Sequence, residues 1–238
     1  MKKYLTKFLS IIFPSKCIAC STIVSAGSKV CSICWSQLEF ISSPSCAKCD
    51  YPFEFDIGYD ALCGGCLEEG PLFDKAISVL RYTELSKIMV HRLKYSDKLH
   101  IAKHFASMLF KKIHKDAQGF DFIIPVPMHR KKMRSRLYNQ AALMVTHLSD
   151  YSGVAPLHNG LLKTKYHESQ TGLSRSVRKE NIKNTFEINK KYADVIKGKN
   201  ILLVDDVYTT GATVNECSRV LKRGLCKSVT VVTLARVV

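Results

Sequence analysis

With 238 residues the chain has room for one substantial hydrophobic core and a small module beside it, and no more. A hydrophobic fraction of 46% is that of an ordinary globular protein. The formal charge of +16 is not ordinary. One small substrate does not require it, and it favours polyanionic partners: nucleic acid, an anionic membrane surface or a phosphorylated small molecule.

Residues 1–13, MKKYLTKFLSIIF, are basic and then apolar. The apolar run is too short to span a bilayer and lacks a small-residue cleavage site, so neither a membrane helix nor a signal peptide is predicted. Lys2, Lys3 and Lys7 with Phe8, Leu9, Ile11, Ile12 and Phe13 suit packing on the chain's own domain or peripheral contact with a membrane surface.

Eight of the ten cysteines then form four C-x-x-C pairs: Cys17/Cys20, Cys31/Cys34, Cys46/Cys49 and Cys63/Cys66. Two thiolates at this spacing leave one tight turn aimed at one point, which suits tetrahedral zinc. A disulfide scaffold needs an oxidising compartment, and one redox dithiol does not need four copies. The spacing leaves open whether one or two zinc ions are held. It also leaves open whether the pairs combine consecutively or cross-braced; loop closure costs less for the consecutive arrangement. Cys217 and Cys226 read as small apolar residues.

Gly70-Pro71 marks a boundary between a cysteine-rich module, 1–70, and a second domain, 71–238. Strands are predicted at 76–82, 122–126, 160–164, 185–188, 200–205 and 228–234, and helices near 84–95, 98–114, 136–151 and 213–222. Apolar strands alternating with helices indicate an α/β fold with a mostly parallel sheet.

Ile201-Leu-Leu-Val-Asp-Asp-Val-Tyr-Thr-Thr-Gly-Ala-Thr213 carries the most chemistry. A strand ends in Asp205 and Asp206, a hydroxyl- and glycine-rich turn follows, and a helix begins. Backbone N–H groups, hydroxyls and a helix dipole make the turn a seat for phosphate, while the carboxylates can accept hydrogen bonds from ribose hydroxyls. A P-loop ATPase needs G-x-x-x-x-G-K-[ST] upstream, which the chain lacks. The string resembles the PRPP-binding motif of type I phosphoribosyltransferases. That resemblance implies that Asp205 and Asp206 hold the ribose and that Thr209–Thr213 hold the 5-phosphate, with Val207 and Tyr208 between them.

Pro125 to Arg136 begins where a strand ends, and its last eight residues carry five Arg/Lys and one His. At the carboxyl edge of a parallel sheet, His129, Arg130, Lys131 and Lys132 are candidates for a pyrophosphate. A solvated basic loop is the plainer reading. The segment from Leu162 to Phe186 is rich in Ser, Thr, Gly, Lys and Arg, and suits a mobile loop able to close over a substrate.

Taken together the chain resembles the ComF (ComFC or GntX-like) family of competence proteins, which join zinc ribbons to a type I phosphoribosyltransferase domain. The resemblance rests on the four C-x-x-C knuckles, Phe73-Asp74, Arg81-Tyr82, His91-Arg-Leu-Lys-Tyr95, Val126-Pro-Met-His-Arg130, Tyr138-Asn-Gln140, Ser169-Gln-Thr-Gly-Leu-Ser174 with Arg178 and Asn181, and Val204 to Thr213. Three departures stand out. Leu137 replaces a usual Gly, Lys163 and Lys165 stand where Arg is frequent, and the turn glycine near Gly224 is displaced by one. The resemblance implies a cytoplasmic protein of natural transformation that binds single-stranded DNA as it comes through the inner membrane. An import helicase or ATPase and recombination mediators are the implied partners, and PRPP with Mg²⁺ the implied ligand. Lys94, Tyr95, Arg134, Arg136, Lys165, Arg175 and Arg178 are the candidate DNA contacts. The alternative is a PRPP- and Mg²⁺-dependent phosphoribosyltransferase acting on a small nitrogenous acceptor.

Overall fold

The computed structural model describes residues 14–25, 27–58, 60–95, 99–136, 138–165 and 181–238. Residues 1–13, read either as packing on the chain's own domain or as meeting a membrane surface, the greater part of the expected mobile loop with Arg175 and Arg178, and the side chain of Tyr95 lie outside the described residues.

A five-stranded, wholly parallel sheet organises the chain: β1 (Lys75–Arg81), β2 (Phe122–Pro125), β3 (Ala155–Pro156), β6 (Asn200–Tyr208) and β7 (Ser228–Arg236), in the order β1-β7-β6-β2-β3. The middles of its central strands are largely apolar, Ile201–Val204 in β6 and Val229–Leu234 in β7 with only Thr230 and Thr233 among them polar, because helices cover both faces. Alternate residues of β6 and β7 serve opposite layers. Leu202, Val204, Val232 and Leu234 join Phe105, Leu109, Met144 and Leu148. Ile201, Leu203, Val229 and Val231 join Val214, Cys217 and Leu221. The first layer is built by α4 (Leu99–Ile113) and α6 (Gln140–Ser152), the second by α7 (Ala212–Arg223). Helix α3 (Glu84–Tyr95) connects β1 to α4.

Two expectations need correction. The predicted strands at 160–164 and 185–188 exist as β4 (Leu161–Lys163) and β5 (Phe186–Ile188), but they form a separate antiparallel pair rather than part of the main sheet. The basic stretch after β2 contains a short helix, α5 (Arg130–Arg136), and the long helix starts only at Gln140, where Asn139 accepts a hydrogen bond from the Ala141 amide at 3.0 Å. Asn139 therefore serves as the N-cap.

The cysteine-rich segment contains two short helices, α1 (Ser32–Ser36) and α2 (Gly64–Glu68), and lies along the open edge of β1. The Ile41 amide donates to the Val79 carbonyl at 2.9 Å, Arg81 to Glu39 at 2.8 Å and Ala76 to Lys48 at 2.8 Å. Asp50 accepts from Ser45 Oγ and from the Ser78 amide, both at 2.8 Å. An edge that would otherwise offer unpaired backbone groups is thereby covered.

Candidate functional site

Order β1-β7-β6-β2-β3 means that the chain runs outward in opposite directions from β6 and β2, so the crevice at their carboxyl ends is the switch point where ligands of open parallel sheets collect. β2 and β6 are in register from Phe122/Ile201 to Pro125/Val204, and the Val126 amide continues the ladder to the Val204 carbonyl at 2.8 Å. Asp205 and Asp206 follow at once on one side, and the segment leading to α5 follows on the other.

Asp205 turns back on its own chain: its Oδ1 accepts the Asp206 amide at 2.8 Å. Burial, and then repulsion from the neighbouring Asp206, push its carboxyl up to about 7. Asp206 pairs with Lys94 Nζ at 2.6 Å, both side chains being mostly buried. The Lys94 ammonium is held above its ordinary range: burial opposes the charge, but Asp206 and Asp205 outweigh it. Lys94, expected among DNA contacts, is brought by the fold to the carboxylate pair. Tyr138 fixes this helix end, its hydroxyl donating to the Leu93 carbonyl at 3.2 Å.

Two more lysines converge here. Lys132 is depressed by burial and then by the charges of Arg136, Lys163 and Lys94. Lys163, over the Phe186 ring at 5.3 Å, is depressed by burial and steadied by the charge of Asp205. Lysines that share one dry crevice and repel each other suit a multiply charged anion. Arg130, Lys131 and Arg134 are exposed on α5, and Lys165 is exposed beyond β4. The His129 imidazole accepts from the Lys131 amide at 3.2 Å.

The predicted phosphate turn is formed by Thr209, Thr210 and Gly211 at the start of α7. Gly211 has φ +77°, and a Cβ on it would lie 2.3 Å from the Tyr208 hydroxyl. Only glycine fits. No acidic side chain occupies the first turn of α7 and Gly211 offers no side-chain cap; Thr210 Oγ1 accepts the Ala212 amide at 3.4 Å, and the helix dipole favours an anion at this end. Tyr208, expected beside the ligand, is mostly buried, edge-on to Phe73 at 6.2 Å and beneath the Arg236 guanidinium at 4.6 Å.

The displaced turn glycine also has a reason. Gly224 has an ordinary φ of −77°, whereas exposed Leu225 carries the left-handed φ of +63°. A Cβ on Gly224 would lie 2.3 Å from Ile188 Cδ1, so close packing against β5 requires glycine here rather than backbone freedom.

The thiols gather consecutively, Cys17, Cys20, Cys31 and Cys34 in one group and Cys46, Cys49, Cys63 and Cys66 in the other, each within 4.8 Å. Tetrahedral zinc with bonds of about 2.3 Å sets its thiolates about 3.8 Å apart. Cys20 and Cys31 stand 3.7 Å apart and Cys49 and Cys63 3.5 Å apart, so the donor sets fit the ion. Amide donors reach the sulfurs of both groups: Ala19 and Cys31 to Cys17 at 3.4 Å, and Cys63 to Cys46 at 3.3 Å. Ser21 and Asp50, the residues after the first and third pairs, take left-handed φ of 67° and 61° to close the knuckles.

Two family matches cover this architecture: a double zinc ribbon domain over residues 8–67 and a phosphoribosyl transferase domain over residues 94–237. Fold and site therefore define a phosphoribosyltransferase-type α/β domain bearing an N-terminal double zinc ribbon. Curated relatives extend along nearly the whole chain. Competence protein F of Haemophilus influenzae is 32% identical over 231 residues, 94% of this chain and 98% of its own length. DNA utilization protein YhgH of Escherichia coli K12 is 28% identical over 229 residues, 94% and 97% of the two chains. Competence protein ComFC of Bacillus subtilis is 29% identical over 220 residues, 87% and 84%. The chain belongs to the competence protein F (ComF) family.

Several residues of this region gave no signal in the sequence. Glu216 is buried and held at two points by Arg219, at 2.7 and 2.6 Å, and accepts the Asn184 amide at 2.7 Å. Arg236 is buried and donates to the Cys49 carbonyl. The Asn184 contact of Glu216 and the Cys49 contact of Arg236 each join segments distant in sequence. Among the described residues no helix is long and apolar enough to cross a membrane.

Proposed function

We propose that the chain acts in natural transformation, binding single-stranded DNA as it reaches the cytoplasm, and that it carries a site for PRPP with Mg²⁺. One observation carries the reading: a carboxylate pair and a phosphate turn meet at the switch point of a parallel sheet, rimmed by Lys94, Lys132, Lys163 and Arg136. The names of the relatives, competence protein and DNA utilization protein, supply the process. The charge of +16 supplies a sequence-independent attraction for a phosphate backbone.

The site's own residues divide the work. Thr209 to Thr213 seat the 5-phosphate through N–H and hydroxyl groups, and Asp205 and Asp206 accept the ribose hydroxyls once both are ionised. Lys132, with His129, Arg130 and Lys131 at the start of α5, faces the pyrophosphate. Magnesium, which prefers one or two carboxylates together with substrate phosphates, fits an oxygen set made by Asp205, Asp206 and PRPP and would neutralise the leaving group. Lys94 holds the Asp206 carboxylate by an ion pair at 2.6 Å.

A second reading, turnover of PRPP with a small nitrogenous acceptor, is favoured by the convergence of half-buried cations, Lys132 and Lys163, at the place where pyrophosphate would leave. Both are tested together by measuring single-stranded DNA binding with and without Mg-PRPP, for the wild type and for Asp205→Ala/Asp206→Ala. The first reading expects strongly salt-dependent DNA binding, competition by PRPP, and a double variant that loses PRPP alone. If PRPP binds and DNA does not, the direct DNA role fails. Pyrophosphate release that needs Mg²⁺ and an added acceptor would establish the second.

A further inference from the structure

Beside the phosphate turn, and without Asp205 or Asp206 in its walls, lies a cavity of about 870 Å³ between the second zinc ribbon and α7. Its volume is that of a small-molecule site, which spans about 300–1,000 Å³. One end is the turn itself, Thr209 to Ala212; the other is the ribbon, where Gly64 and Gly65 present backbone without side chains.

Charge and shape at the two ends differ. Arg219, Arg223 and Arg236 line the cavity, and Glu216 is already neutralised by Arg219. On the ribbon side, the Arg236 guanidinium lies between two rings, 4.6 Å from the centre of Tyr208 and 5.4 Å from that of Tyr51. Tyr208 and Arg236 are buried, whereas Tyr51 is 37% exposed. Tyr51, at the outer end of this stack, is partly exposed and lines a cavity in which Arg223, Arg236 and Lys183 outnumber Glu69. Planar bases add to such faces, and Arg contributes a cation–π attraction.

A ligand that satisfies both ends carries a phosphate and a planar ring. We propose that this cavity is a pocket for a nucleotide 5′-phosphate, with the phosphate on Thr209–Ala212 and the base stacked on Tyr51 of the second ribbon. It rests on the reading of that turn as a phosphate seat, and adds the occupant and the ribbon's part in holding it. A free mononucleotide and the 5′-phosphorylated end of a DNA strand present the same chemistry.

The zinc-loaded full chain is titrated with deoxyadenosine 5′-monophosphate, with oligodeoxyadenylate bearing a 5′-phosphate or a 5′-hydroxyl, and with Mg-PRPP. The 5′-phosphorylated strand is expected to bind at least about tenfold more tightly than the 5′-hydroxyl strand. Tyr51→Ala should weaken the phosphorylated ligand at least about fivefold, the effect of losing one base–aromatic stack, and Tyr51→Phe should retain it. Competition by the mononucleotide identifies a free nucleotide as the source; a preference confined to the strand identifies the DNA end. Asp205→Ala/Asp206→Ala should lose PRPP and keep the 5′-phosphate ligand. If the wild type ignores PRPP but shows a Tyr51-dependent 5′-phosphate preference, the PRPP reading fails and the pocket stands. If neither the mononucleotide nor the phosphorylated strand binds in a Tyr51-dependent way, the pocket is overturned whatever PRPP does.

Discussion

Substituting Gly211 by alanine tests the phosphate turn most directly. The new Cβ would lie 2.3 Å from the Tyr208 hydroxyl and 2.6 Å from Cζ, and the backbone φ is +77°. A left-handed conformation costs a residue with a Cβ about 1–2 kcal/mol. Overpacking against a well-packed ring adds about 1–3 kcal/mol, because Tyr208 cannot retreat without leaving Phe73 and Arg236. A loss of about 2–5 kcal/mol follows, or a fall in Tm of roughly 4–20 °C for a chain of this size. Gly64→Ala is the control, since a Cβ there meets nothing within 4 Å and the backbone angle is ordinary. It should stay within about 0.5 kcal/mol of the wild type. Thermal melts of both variants at equal zinc saturation make the comparison, with titration of inorganic phosphate as the second readout. Removing the hydroxyl alone, in Tyr208→Phe, relieves the nearest contact but leaves Cζ in place, so it should rescue Gly211→Ala only slightly. If Gly211→Ala melts within about 2 °C of Gly64→Ala and binds phosphate normally, the account of this turn is wrong.

The elevated carboxyl of Asp205 makes two pH dependences. An acid whose folded pKa is raised holds its proton more tightly when folded, so stability should decline from about pH 4 to about pH 7 and level off above; Asp205→Asn should flatten this in denaturation curves taken across that range. Over the same interval PRPP affinity should rise, because hydrogen bonds from the ribose require the ionised pair. Lys94→Met removes the cation that lowers Asp205, so the midpoint of that rise should move to higher pH, and an unmoved midpoint would separate Lys94 from the site. Metal analysis should find two zinc ions per chain, with Cys17→Ser/Cys20→Ser and Cys46→Ser/Cys49→Ser each losing one; a single ion, or one lost only when both groups are changed, would contradict consecutive pairing. Deleting residues 1–70 should yield a chain that self-associates, seen by light scattering, because the β1 edge loses its cover.

What could be seen in the sequence was whatever is local. Asp205 to Thr213 is one strand, one turn and one helix start, and the backbone chemistry of such a string is the same before and after folding. The C-x-x-C knuckles are similarly self-contained, and only their pairing needed the fold. The misplacements share the opposite property. β4 and β5 have three residues each, too few for a pattern to show which sheet they join. Lys94 looked like one more exposed cation of a basic helix, because its partner Asp206 lies more than a hundred positions away. Tyr51, Tyr208 and Arg236 come from three separate segments, and no spacing rule connects them.

That last stack alters how the ribbons relate to the rest of the chain. Cys17 and Cys34 belong to the hydrophobic layer of α4 and α6, and Cys46 and Cys49 to the layer of α7, so the two ribbons straddle the edge of β1. The first ribbon meets the helical layer through Arg92, which donates to the Cys17 carbonyl at 3.3 Å. The second meets the phosphate turn by a chain of contacts: Cys49 carbonyl to Arg236, Arg236 to the Tyr208 ring, and Tyr208 to the space beside Gly211. A buried guanidinium must keep its acceptors, and Gly211 leaves Tyr208 no room to move toward the turn. The position of the second knuckle and that of the turn at Gly211 are therefore one packing problem. Zinc on Cys49 would hold one end of it, and among the described residues nothing comparable ties the first knuckle to the turn.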